Sequence, residues 1–252
     1  KNKHAYALLL IFIAGFILIT FKGVKTAQPG DENVYYYMGK LVMEGKVPYM
    51  DFFYAHPPLH VYLMALAYWI FGFNIVILKF IPLASTLVSA FFVFKIAQEK
   101  FGNSEAIISL LLFLSSYSIL FNSVFSFGTE IAAMLLITGF YFLWNKNNYI
   151  ASGILFGLAG ITRLLALIPI LVIFAAIFLS SKKNFLKLSS GFLIVFLLVN
   201  GIFIAAFGSD YAIPVYNYHL LKESAAKENF KEYGGILKLN WIIFFSAALF
   251  VF

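Results

Sequence analysis

The chain has 252 residues, 62% of them apolar and only 12% charged. Soluble domains carry about 25% charged and about 45–50% apolar residues, so a core of this size could not hide the apolar excess, and lipid is the solvent that fits. Cysteine is absent, which excludes a disulfide framework and a thiolate metal site. The net charge of +7 comes from lysines placed singly or in pairs between apolar runs, a pattern that suits loops facing anionic headgroups rather than nucleic acid.

Apolar runs cover 5–21, 59–73, 75–97, 106–121, 131–144, 150–161, 164–179 and 188–207, and a last one covers 239–252. Several approach the roughly 17–25 residues that cross a bilayer core about 30 Å thick. The first has a weak basic flank and no small-residue cleavage site, so it reads as an anchor helix and not as a signal peptide. The last falls short of a comfortable span, and the natural chain is expected to continue past it. The expected fold is all-α: one polytopic transmembrane helix bundle over 1–252, with amphipathic helices on its outer face. Two polar stretches are long enough to hold structure of their own, a first outer loop at 22–58 and a second at 208–238. No internal repeat is visible.

Topology turns on 59–73, which is short for a span and follows Pro57-Pro58. If it lies in the interface, Lys1, Lys3, Lys95, Lys100, Lys146, Lys182, Lys183 and Lys187 share one side. The positive-inside rule makes that side cytoplasmic and puts both long loops, Glu130 and Arg163 outside. We take this reading; the exterior lysines Lys22, Lys25, Lys222 and Lys227 are mostly interleaved with acids.

Within the first outer loop, Val34, Tyr37, Met38, Leu41 and Val42 follow the spacing of an amphipathic helix. Pro29-Gly30-Asp31 opens it with Asp31 as N-cap, and Gly45 closes it. Such a helix lies flat on the membrane and holds Asp31 and Glu32 at the bilayer surface. A second amphipathic segment over 213–233 contains His219, Glu223, Glu228 and Glu232.

Each candidate residue has a plain reading and a chemical one. Asp31 and Glu32 serve as cap and first-turn acid, or Asp31 is a carboxylate base at the mouth of a lipid-facing cavity. Thr129 and Glu130 make the same cap pair at the start of a span, although an acid at the edge of hydrocarbon usually faces an interior. Arg163, the only arginine, either snorkels to headgroups or grips a phosphate with its planar fork. His56 and His60 flank Pro57-Pro58 with Asp51 nearby, but the prolines disturb a shared metal site and spacing fixes no third ligand. A histidine facing a lipid phosphate is the better fit. Tyr35-Tyr36-Tyr37, Phe52-Phe53-Tyr54 and Tyr62 form either an interfacial belt or sugar-stacking faces.

The order of these residues resembles the GT-C superfamily of membrane glycosyltransferases, in the branch of the protein O-mannosyltransferases and the lipid A aminoarabinose transferases. The resemblance is carried by Pro29-Gly30-Asp31-Glu32 opening an amphipathic helix and by Tyr54-Ala55-His56-Pro57-Pro58-Leu59 leading into a short apolar helix. Gly128-Thr129-Glu130 and Gly160-Ile161-Thr162-Arg163 before a span with Pro169 extend it. It implies an inverting transferase that takes a sugar from a polyprenyl-phosphate donor to a lipid, glycan or protein acceptor. Asp31 maps onto the catalytic carboxylate, His56 onto a basic residue facing the donor phosphate (more often lysine), and Glu130 and Arg163 onto further substrate contacts. Glu32 and Asp51 join them as substrate-binding candidates. No cofactor is required by such chemistry, a divalent metal is possible but without support, and membrane lipids are the other expected partners. The rival from another class is a transporter or lipid flippase without transferase activity. That class predicts paired helix breaks near midmembrane, whereas these polar groups gather at one surface.

Overall fold

The computed structural model describes residues 3–24 and 30–218, together with the isolated positions Gly235 and Lys238. Helix α1 (Lys3–Val24) leads to α2 (Asp31–Met43), α3 (Leu59–Phe71) and α4 (Ile75–Lys100). Next come α5 (Asn103–Ser115), α6 (Tyr117–Asn122), α7 (Thr129–Trp144) and α8 (Tyr149–Gly160). A 3-10 turn, Leu164–Ala166, opens α9 (Leu167–Ser180); α10 (Lys182–Phe207), α11 (Ser209–Ala212) and a π-helical turn, Ile213–Asn217, complete the described chain. No strand forms among the described residues, as the all-α reading requires. Helices α4 and α10 are 26 residues each, apolar and long enough to cross a bilayer. The α10 window is only 11% buried, so most of its apolar surface is left for lipid.

The elements depart from the sequence reading at three points. The run 106–121 is two helices, because Ser116 adopts an extended backbone (φ −60°, ψ 129°) between α5 and α6. Gly30, at φ +142°, caps α2 in place of Asp31, and Gly128, at φ +79°, caps α7 in place of Thr129. Both are backbone conformations that glycine adopts without cost. Asp31 and Glu130 remain in their first helical turns, where the helix dipole favours an acid. Of the second amphipathic segment, helical turns are present up to Asn217; His219, Glu223, Glu228 and Glu232 lie outside the described residues.

Helix α3 begins and ends at the same end of the bundle. His60, in its first turn, packs on Gly128 just before α7, while Lys79, one turn into α4, donates to the Gly23 carbonyl at the end of α1 (3.3 Å). One face of α3 buries Met64, Ala67 and Tyr68 against Tyr36 and Leu78. The other face leaves Leu66, Trp69, Ile70 and Phe71 exposed. Both ends of this 13-residue helix therefore stand at one level of the bundle, and it does not run from one end of the bundle to the other.

At the opposite end, Lys146 bonds Glu99 at 2.9 Å and Tyr141 donates to the same carboxylate at 3.0 Å. The helix that leads to Arg163 is fixed by a close crossing. A Cβ on Gly153 of α8 would lie 2.1 Å from the Leu188 carbonyl oxygen, and one on Gly191 of α10 would lie 2.3 Å from that of Ile150. Without water to drive association, small residues let helices approach until their backbones touch. Gly153→Ala should therefore lower stability by about 1–3 kcal/mol, the usual cost of overpacking. Thermal unfolding in detergent checks this; an unchanged midpoint would contradict the crossing.

Candidate active site

Two neighbouring polar clusters occupy the end of the bundle where α1 finishes. In the first, Glu32 and Lys79 are each only 1% exposed. The Glu32 carboxylate accepts from Lys79 Nζ (3.2 Å), from the Ser126 backbone N–H (3.0 Å) and from the Tyr36 hydroxyl. Lys79 also donates to Gly23 and stands 5.5 Å from the centre of the Phe125 ring. Burying two charges costs several kcal/mol per ion unless the geometry and the remaining hydrogen bonds compensate. Here three donors converge on one carboxylate. Burial, reinforced by the Glu32 charge, pushes the Tyr36 phenol well above its ordinary range, so it stays a donor. Glu32, expected as a substrate contact, thus clasps α1, α2, α4 and the α6–α7 loop together. Lys79 was not singled out in the sequence, although a lysine inside an apolar run was the available signal.

The helix separates the two adjacent acids. Asp31 is exposed while Glu32 is buried, because successive residues turn by about 100° around a helix of 3.6 residues per turn. Asp31 and Tyr35 share one face at i, i+4, and Glu32 and Tyr36 share the next. Val34 and Tyr37, at the outer edge of the apolar stripe, are exposed, as a stripe directed at the headgroup boundary requires. The fully buried residues of α2 are Glu32, Tyr36 and Gly39, while Tyr35, Met38 and Val42 pack against Tyr49, Tyr54 and Val61.

The second cluster centres on His56. Its Nε2 lies 2.7 Å from the Tyr35 hydroxyl and 2.9 Å from Arg163 Nη1. The guanidinium carbon stands 6.0 Å from the Tyr35 ring centre. The His56 carbonyl accepts from the Tyr49 hydroxyl at 2.7 Å, and the Tyr54 ring meets the imidazole edge-on at 5.7 Å. Burial pushes the Tyr49 and Tyr54 phenols well above their ordinary range, so both stay protonated. Tyr54 Oη is 3.3 Å from His60 Nδ1. The backbone N–H of Leu59 donates to the Ile161 carbonyl (3.2 Å), which ties the Pro57-Pro58 step to the turn carrying Arg163. The structure thus brings His56 and Arg163 together across 107 positions of sequence.

Glu130 is 8% exposed, and its Oε2 has no hydrogen-bond partner. With His60, Ser126 and Gly128 it lines a cavity of about 10 Å³, room for about one water. Gly128 is required there, since a Cβ would sit 2.9 Å from His60 Cγ. Arg163 lies within electrostatic reach of Glu130. Asp51 stands apart: it is exposed and accepts from the Val47 N–H (2.7 Å), closing the turn that presents Tyr49. Among the described residues no three histidine, aspartate or glutamate side chains converge as metal ligands.

A family model described as dolichyl-phosphate-mannose-protein mannosyltransferase matches residues 55–205, more than half of the chain. The matched span takes in His56, His60, Lys79, Glu130 and Arg163, while Asp31 and Glu32 precede it. No curated protein and no solved structure matches.

Breaking the buried pair from one side should cost far more than removing both charges. Lys79→Met leaves a buried carboxylate without its counter-ion and should destabilise by about 3–5 kcal/mol. Adding Glu32→Gln, which keeps an acceptor for Tyr36 and Ser126, should recover a large part of that loss. Chemical or thermal denaturation of the single and double variants in detergent decides it; additive losses would show that the pair is not coupled.

Proposed function

The chain belongs to the dolichyl-phosphate-mannose-protein mannosyltransferase family and is a membrane glycosyltransferase of that general type, and from that premise we propose that it moves a sugar from a polyprenyl-phosphate donor to an acceptor hydroxyl or phosphate on the outer face. The observation that carries the proposal is the setting of Arg163, the only guanidinium in the chain, against His56 and Tyr35 at the end of the bundle where Asp31 stands exposed. In a single inverting displacement, the acceptor oxygen attacks the anomeric carbon as the bond to the phosphate oxygen breaks. The proton leaves the acceptor hydroxyl for the Asp31 carboxylate, acting as general base. The electron pair departs with the lipid phosphate, where Arg163 meets the developing charge with charge-assisted hydrogen bonds. A lipid monophosphate leaves readily, so the reading asks for no metal. Glu130, buried beside His60 and within reach of Arg163, is placed to steady the guanidinium or to accept from a sugar hydroxyl.

Charge supports the outer-face assignment. Because α3 does not cross, Lys95, Lys100, Lys146, Lys182 and Lys183 all fall at the end of the bundle opposite Arg163. The positive-inside rule makes that end cytoplasmic.

Two outcomes test this. Asp31 sits at the first helical position, so Asp31→Asn forfeits only its dipole interaction, about 0.3–1 kcal/mol. Loss of the base should slow transfer by about 10²- to 10⁴-fold. An Asn variant with wild-type turnover would return Asp31 to a purely structural role. In intact cells, an impermeant amine reagent should label the exposed Lys46 and spare the exposed Lys183. The reverse labelling would place the site on the cytoplasmic face.

A further inference from the structure

We infer that His56 is a positioning residue: a neutral imidazole whose lone pair holds the Arg163 guanidinium in place, and not a second cation on the donor phosphate. The inference rests on the reading of Arg163 as the phosphate-binding group. A guanidinium has five N–H donors and no acceptor, so its 2.9 Å contact with Nε2 exists only where that nitrogen offers a lone pair. The ring proton then sits on Nδ1, a tautomer assigned from the partners. A protonated ring would set N–H against N–H and charge against charge.

The surroundings fix the imidazole from several sides. Its backbone carbonyl is held by Tyr49, its ring lies 5.6 Å from that of Tyr35 and 5.7 Å from that of Tyr54, and Pro57-Pro58 restrict the chain that follows. Arg163 draws no such support from its own backbone. It sits on extended backbone (φ −149°, ψ 125°) between α8 and the 3-10 turn, where no helix orients its side chain. A long side chain left free must be ordered when its ligand binds, whereas one already held in place avoids that loss. His56 engages Nη1, Nε is buried without a partner, and the remaining terminal N–H groups are left for an anion. Tyr35 belongs to the same unit: its hydroxyl donates to the same Nε2 lone pair, shared with Arg163, and its ring lies under the guanidinium.

The discriminating experiment replaces charge and acceptor separately. The purified full chain in detergent is titrated with a polyprenyl monophosphate, comparing wild type with Arg163→Ala, His56→Leu, His56→Gln and His56→Lys, each checked for an unshifted unfolding midpoint. Arg163→Ala should weaken binding by at least about tenfold, the size of a charged hydrogen bond. His56→Leu, which keeps bulk but removes the acceptor, should lose a comparable factor. His56→Gln should recover most of it, because its amide oxygen accepts from the guanidinium while remaining neutral. His56→Lys should stay as weak as the leucine variant, since an ammonium has no lone pair for Arg163. His56→Leu added to Arg163→Ala should weaken binding no further, as for two residues acting as one unit. Tight binding by His56→Lys with weak binding by His56→Gln would overturn the inference and make His56 a cation on the phosphate. Unchanged affinity in His56→Leu would overturn it as well. Unchanged affinity in Arg163→Ala would instead remove the phosphate reading on which it rests.

Discussion

The buried contact between Glu32 and Lys79 decides how the rest of this end of the bundle is arranged. The two residues stand 47 positions apart, and neither charge can reach water once α2 lies against α4. A lysine with nothing to neutralise it in hydrocarbon has few places to go. Its partner therefore dictates which face of α2 turns inward, and the helix period then dictates that Asp31 turns away. Two acids that are neighbours in sequence acquire unequal environments from a single ion pair. One becomes structure, and the other is left facing solvent at the membrane surface.

The second cluster is organised around that choice. With Glu32 inward, Tyr35 reaches His56, and His56 reaches Arg163. The backbone bond between Leu59 and Ile161 adds a tie that depends on no side chain. Three stretches distant in sequence thus meet at one end of the bundle: the start of α2, the step before α3 and the turn after α8. The close α8–α10 crossing keeps that last turn in register. Family membership gives the general class of reaction.

The sequence made the fold class legible because apolar runs of helical length leave few alternatives in lipid. It also showed the helix that follows α1 and an α3 whose two ends stay at one end of the bundle. What it did not show depends on partners far away in the chain. The spacing of Val34, Tyr37, Met38, Leu41 and Val42 marked the apolar stripe, but not the neighbouring face on which Glu32, Tyr36 and Gly39 are buried, nor the packing of Met38 and Val42 on the protein. Lys79 was visible only as an oddity within an apolar run, since its pairing spans three helices' worth of chain. The two caps were misassigned for a local reason: glycine at positive φ outcompeted the polar residue that followed it in both cases. Asp51 and His56 looked alike as loop residues near a proline step. Contacts alone separated a turn-closing acid from a histidine that touches the only arginine.

Helix α3, with Leu66, Trp69, Ile70 and Phe71 turned outward and both ends at one end of the bundle, sets the level of everything attached to it. The loop that bears His56 runs directly into its first turn, so with α3 in the interface, as proposed, the cluster rides where the headgroups of a leaflet ride. Under the proposed reading this reduces the dimension of the encounter. A donor that is itself a lipid arrives with its phosphate already at the right depth and needs only to drift sideways, a search over a plane in place of a volume. The acceptor, whatever its size, is the partner that must come down to meet it.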